Sequence, residues 1–158
     1  MLSLVKCYYA EIIGALVCLS LGFLSGYSVK ISDLSWYAAL NKPSFAVPNW
    51  VFAPVWTVLY ISIGIALGRM CKDKNNKGRL FFLFFTQLIF NLLWSPLFFY
   101  YQRIDLALYD IILLWLTLLV LIGSSRRASG IGWLLLPYFF WVSFAAVLNA
   151  SIVYLNPS

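Results

Sequence analysis

Residues 36–56 read WYAALNKPSFAVPNWVFAPVW, and the reading of that stretch sets the reading of the whole chain. It holds three tryptophans (Trp36, Trp50 and Trp56), with Tyr37, Phe45 and Phe52, and three prolines at Pro43, Pro48 and Pro54; Lys42 is its one charge. An uninterrupted helix is excluded, because each proline lacks an N–H donor and clashes with the turn before it. Disorder is excluded as well, since disordered segments are poor in aromatic and apolar side chains. A long apolar connection of this kind needs a surface to pack on. Tryptophan and tyrosine also suit the membrane–water interface.

Outward from that stretch the chain reads as membrane-embedded. Its 158 residues are 63% hydrophobic and 10% charged, where soluble domains carry about a quarter charged residues. Charge-free runs cover 12–29, 43–68, 80–102 and 128–158, and 106–125 is broken only by Asp110. A spanning helix needs about 20 mostly apolar residues. Five spans are predicted, near 9–29, 50–69, 80–101, 106–124 and 131–155, in a single domain covering 1–158. The expected fold is an all-α membrane protein, a bundle of five transmembrane helices with a long, partly structured first loop acting as a lid. The first apolar segment exceeds the roughly 7–15 residues of a cleaved signal core, so it is expected to be retained.

The net charge of +6 is distributed as in a membrane protein rather than a nucleic-acid binder. With five spans, the N-terminus and the loops near 70–79 and 125–130 share one side. That side carries Lys6, Arg69, Lys72, Lys74, Lys77, Arg79, Arg126 and Arg127, eight of the eleven basic residues, while Lys30, Lys42 and Arg103 lie opposite. The positive-inside rule then places the N-terminus in the cytoplasm and the C-terminus outside, in an integral protein of a bacterial cell membrane. The 36–48 segment falls on the outer face.

The chain has no histidine, which removes the commonest general base and metal ligand. Cys7, Cys18 and Cys71 have no paired spacing, so neither a disulfide framework nor a metal site is expected. No phosphate-binding glycine loop or nucleophile–base pair is present. Five spans do not divide into inverted repeats, which argues against that transporter architecture.

The first span carries Ala10, Gly14, Cys18, Gly22 and Gly26 at four-residue intervals, a ridge of small side chains on one helix face. Such ridges let helices approach closely in lipid. This one serves either packing within the chain or a homodimer contact through Gly14, Cys18, Gly22 and Gly26. In the third span Gln87, Asn91, Trp94, Ser95 and Phe98 share a face, and in the fifth Tyr138, Trp141, Ala145 and Asn149 form a comparable stripe. Amides facing lipid are costly, so both stripes should look into the bundle, where Ala145 leaves room. Interhelical hydrogen bonding would account for each stripe alone. Together with the aromatic lid they describe a mostly apolar pocket with a few polar anchors, suited to a planar hydrophobic ligand. Asp110 and Glu11 are intramembrane acids near helix starts, readable as functional groups or as interfacial ones.

The segment WYAALNKPSFAVPNWVFAPVWTVLY closely resembles the signature of the TspO/MBR family, the translocator or tryptophan-rich sensory proteins, also known as peripheral benzodiazepine receptors. The likeness continues in QLIFNLLWSPLFF of the third span and PYFFWVSFAAVLN of the fifth. It implies a five-helix bundle, usually dimeric, with a cavity closed by the first loop. It further implies binding of porphyrins such as protoporphyrin IX and of benzodiazepine-type ligands, with no required cofactor. Carried over by motif position, Trp50 and Trp141 match the cavity tryptophans. Trp36, Tyr37, Phe52, Asn91, Trp94, Phe98, Ala145 and Asn149 are further lining; Tyr138, from the stripe above, and Asp110, as an intramembrane acid, join the set. Some bacterial members degrade protoporphyrin in light, which would make Trp50 and Trp141 the catalytic pair. Two departures stand out. The proline pair of the family appears as Val47-Pro48, and Tyr154 is followed by Leu155-Asn156-Pro157-Ser158 with no basic residue, so cholesterol binding through that element is not expected. Three functions follow for testing: a membrane tetrapyrrole sensor or carrier, a light-dependent porphyrin-degrading protein, and a helix-mediated scaffold.

Overall fold

In a computed structural model, which describes residues 2–71, 77–125 and 130–157 and the side chains from Tyr8 onward, the chain is a bundle of six α-helices, five of them long enough to cross a bilayer. The helices are α1 (Leu2–Lys30), α2 (Leu34–Ala39), α3 (Phe52–Met70), α4 (Lys77–Ser95), α5 (Ile104–Ser125) and α6 (Ile131–Leu155), and among the described residues there is no strand. The spans fall where the charge-free runs predict them, because only a helix satisfies all its backbone groups internally in lipid. The basic loop residues Lys72, Lys74, Arg126 and Arg127, and the side chains of Lys6 and Cys7, lie outside the described part.

Two details sharpen the predicted spans. Asn49–Val51 is a 3-10 turn that leads into α3, so Pro54 sits in the first turn of α3, where its missing N–H has no partner to lose. At Pro96 the third span leaves α-helical geometry and completes its course as a π-helical turn, Pro96–Tyr100. A proline removes one i→i−4 bond, and the wider turn accommodates it. Gln102, at φ +54, then reverses the chain into α5, where Arg103 holds Asp105 in a two-bond ion pair at 2.7 and 2.9 Å.

Around the bundle the order is α1, α3, α6, α5, α4, closing back on α1. The α1–α3 contact is the tightest. A Cβ on Gly14 would overlap the Gly64 carbonyl, and one on Gly68 would sit 2.5 Å from the Glu11 Cα, so these backbones touch as only glycine permits. Cys18 is fully buried in the same seam, and Gly22 lies against the ring of Tyr60. Three of the four residues proposed for a homodimer contact, Gly14, Cys18 and Gly22, are therefore occupied within the chain. At the fourth, Gly26, an added Cβ would meet nothing within 4 Å among the described residues. Glu11 pairs with Arg69 across the same seam at 3.7 Å, which places that acid in an interhelical ion pair.

Elsewhere single hydrogen bonds stitch helix to helix. Ser25 Oγ donates to the Leu92 carbonyl (3.0 Å), Ser62 Oγ to the Leu134 carbonyl (2.6 Å), and Trp115 Nε1 to Ser143 Oγ (2.8 Å). Each joins two helices where lipid offers no competing partner.

The lid is more ordered than a stiffened loop. Asp33 caps α2 by accepting from the Ser35 N–H (2.9 Å) and Ser35 Oγ (2.6 Å), and those bonds hold its carboxyl below the usual carboxylate range. Tyr37 of α2 is buried against Phe98 and Phe99 (6.0 and 5.3 Å between ring centroids), burial pushes its phenol pKa up, and Lys42 Nζ lies 4.2 Å over its ring. At the far side Asn156 holds the lid by its backbone. Its Oδ1 accepts from the Asn41 N–H and its Nδ2 donates to the Asn41 carbonyl, both at 2.9 Å.

Candidate functional site

Phe52, Trp56 and Tyr60 recur every four residues along α3 and so share one face. That face, the Trp94–Phe98 face of α4 and its π turn, the Ala145–Asn149 face of α6 and the lid-side half of α1 enclose a cavity of about 580 Å³. The volume lies within the usual range for small-molecule sites, roughly 300–1,000 Å³. On α1 the lining runs from Leu19 to Lys30, about 16 Å at 1.5 Å per residue, so the cavity occupies the lid half of the bundle. Tyr37, Leu34 and Asn49 cover its end. Phe23, Gly26, Tyr27, Ala53 and Thr57 line it while being exposed themselves, so between α1 and α3 it reaches the outer surface of the bundle.

Tyr60, Asn91, Trp94 and Asn149 at the cavity wall are engaged in side-chain hydrogen bonds. The Tyr60 hydroxyl donates to Asn91 Oδ1, Asn91 Nδ2 donates to the Tyr138 hydroxyl (2.5 Å), and Tyr138 donates onward to Gln87 Oε1 (3.0 Å). The chain thus runs from the wall into the core between α4 and α6, where Gln87 Nε2 is buried with no hydrogen-bond partner among the described residues. Nearer the lid Trp94 Nε1 donates to Asn149 Oδ1 (3.1 Å), and Asn149 Nδ2 to the Ile104 carbonyl (2.9 Å). What remains for a ligand is largely aromatic face: Trp94 stacks on Phe98 at 5.0 Å, and Trp56 lies 5.6 Å from Tyr60.

Of the residues chosen from sequence, Tyr37, Phe52, Asn91, Trp94, Phe98, Ala145 and Asn149 come together on this lining. The others lie elsewhere. Trp36 packs edge-on against Phe98 (6.1 Å) and Tyr138 stands behind Asn91. Trp141 backs Phe52 (5.8 Å) rather than facing the cavity. Trp50, in the 3-10 turn, is 74% exposed. Asp110 is buried on α5, a helix that contributes nothing to the lining. The pair assigned to a light-dependent reaction, Trp50 and Trp141, is thus outside the cavity, and the tryptophans lining it are Trp56 and Trp94. Trp56, Tyr60 and the cavity side of Gly22 escape the sequence reading. The four-residue spacing of Phe52, Trp56 and Tyr60 is the signal that points to them.

A five-span helical bundle with an aromatic cavity beneath an ordered lid defines an integral membrane protein with an intramembrane pocket. The family model described as TspO/MBR family matches residues 14–155. The tryptophan-rich protein TspO of Chlorobaculum tepidum is 41% identical over 148 residues, 89% of this chain and 92% of that one. The translocator protein of Sus scrofa is 36% identical over 141 residues, 81% and 79% of the two chains. The tryptophan-rich sensory protein of Cereibacter sphaeroides is 34% identical over 122 residues, 77% of each. The chain belongs to the TspO/MBR family.

Proposed function

We propose that this protein binds tetrapyrroles such as protoporphyrin IX, and other planar hydrophobic molecules, in the cavity under its lid, and acts as a membrane sensor or carrier for them. One observation carries the reading: the cavity is lined by the aromatic rings of Phe52, Trp56, Tyr60, Trp94 and Phe98, while the Asn91 and Asn149 amides beside them are engaged by neighbours. Such a wall favours a broad apolar ring system over a sugar or an ion. The names of the relatives, translocator and sensory protein, support the carrier or sensor role.

Titration of the purified protein with protoporphyrin IX is the test. Saturable quenching of tryptophan fluorescence, reduced in a Trp56→Phe, Trp94→Phe double variant beyond the loss of the two fluorophores, supports the reading. Quenching that is linear in porphyrin and indifferent to both residues sinks it.

The orientation belongs to the same proposal: the Arg69, Lys77 and Arg79 end faces the cytoplasm and the lid faces outward, in a cytoplasm-bounding membrane. Cys71, exposed at the basic end, reports on this. A membrane-impermeant thiol reagent should label it only after cells are permeabilised, whereas a Ser44→Cys variant should react in intact cells. A homodimer is part of the reading as well. With Gly14, Cys18 and Gly22 facing α3, its contact would use a different surface.

A further inference from the structure

Three cations stand at the lid end, and two are committed. Arg103 is paired with Asp105, and Lys42 sits over the Tyr37 ring. The third is Lys30, in the last turn of α1, with no ion-pair or ring partner among the described residues. Among the described residues it is also the one charged side chain on the cavity lining, and no acid joins it there. A flexible ammonium at the wet rim of an apolar cavity keeps its stem against the wall and its head in water. That arrangement presents a positive charge at the mouth to whatever lies within.

We infer that Lys30 reads an acidic group: the ligand is a planar apolar body carrying a carboxylate at one edge, seated with the carboxylate at the lid end beside Lys30 and the ring system inward toward Tyr60. The inference rests on the proposed function and adds to it the ligand's charge and its direction in the cavity. The inner end supports the same polarity. There Tyr60, Asn91 and Tyr138 bond to one another and no cation lines that end of the cavity among the described residues, so a carboxylate pointing inward would find no opposite charge. Asp33, the nearest acid in sequence, accepts two bonds from Ser35 and forms no ion pair with Lys30 among the described contacts.

The test compares protoporphyrin IX with its dimethyl ester, which keeps the ring and masks both carboxylates. Full-length protein is held in uncharged phosphatidylcholine nanodiscs, so that partitioning into the bilayer is not biased by lipid charge. Wild type should bind the free acid about three- to tenfold more tightly than the ester at low salt, the scale of a half-exposed charge pair, and the gap should narrow at high salt. Lys30→Gln should bring the two affinities together by weakening the acid, Lys30→Glu should reverse the order, and Lys30→Arg should restore it. Equal wild-type affinities, or a preference that persists in Lys30→Gln, overturn the role of Lys30 while leaving porphyrin binding intact. Absence of binding by both compounds overturns the function and the inference together.

Discussion

Gly14 of α1 lies so close to the carbonyl of Gly64 on α3 that one added methyl group would overlap the oxygen, whereas Gly26, three turns along the same ridge, faces open space. The two glycines therefore predict opposite results. Gly14→Ala forces backbones apart and should cost about 1–3 kcal/mol, read as a lower unfolding temperature in detergent. Gly26→Ala removes a flexible residue from a helix and should leave stability unchanged or raise it by up to about 1 kcal/mol. Equal tolerance at both positions would mean that α1 does not seat on α3 as described.

The Tyr60–Asn91–Tyr138 chain predicts strong coupling. Asn91→Leu strands the Tyr60 hydroxyl in the core and should cost about 1–3 kcal/mol. Adding Tyr60→Phe removes the stranded group and should recover part of that loss. A double-mutant cycle by thermal unfolding should give a coupling above about 0.5 kcal/mol. Strict additivity would place the two side chains out of contact.

Trp94 and Trp50 separate lining from proximity. Trp94→Ala should weaken protoporphyrin binding about tenfold, through the loss of a stacking face and of the bond to Asn149. Trp50→Ala should change affinity less than about threefold, because it is exposed and contributes nothing to the cavity lining. Paired titrations decide this, and a larger effect at Trp50 would return that residue to the binding site.

Asn156 predicts lid dynamics. Asn156→Ala removes both side-chain bonds to the Asn41 backbone, at about 1 kcal/mol each. Lid opening should become roughly 30-fold more frequent, visible as faster amide exchange across 34–41 and a faster porphyrin off-rate. Unchanged exchange there would show that Tyr37 alone holds the lid.

The spans were legible because charge marks their ends and lipid leaves the backbone no choice but helix. Residue faces were less so. The stripes holding Asn91, Trp94, Ala145 and Asn149 converge on the cavity, since amides and small residues turn away from lipid. Tyr138 and Trp141 share that α6 stripe and yet miss the cavity, because they lie about one to two turns further from the lid and pack on Asn91 and Phe52 instead. The α2 helix was signalled only by Asp33 and Ser35, a cap that the prolines further on obscure. The π turn after Ser95 depends on how Pro96 is accommodated, and a proline alone does not say whether a helix bends, stops or widens. The ridge on α1 left open whether its partner was α3 or a second copy, since small residues specify closeness and not identity.

The engagement of Asn91 on both sides also bears on selectivity. A pocket that presents unmet hydrogen-bonding groups rejects any molecule unable to answer them, by factors of about ten thousand or more, whereas an apolar one discriminates a missing methylene by only about 10–200-fold. On the proposed function, a wall with few polar demands would admit molecules of unrelated ring chemistry, sorted by thickness, breadth and the charge they present to Lys30. Broad ligand tolerance would then be a property of the polar network itself, and sharpening the preference would require disturbing the bonds that hold α3, α4 and α6 together.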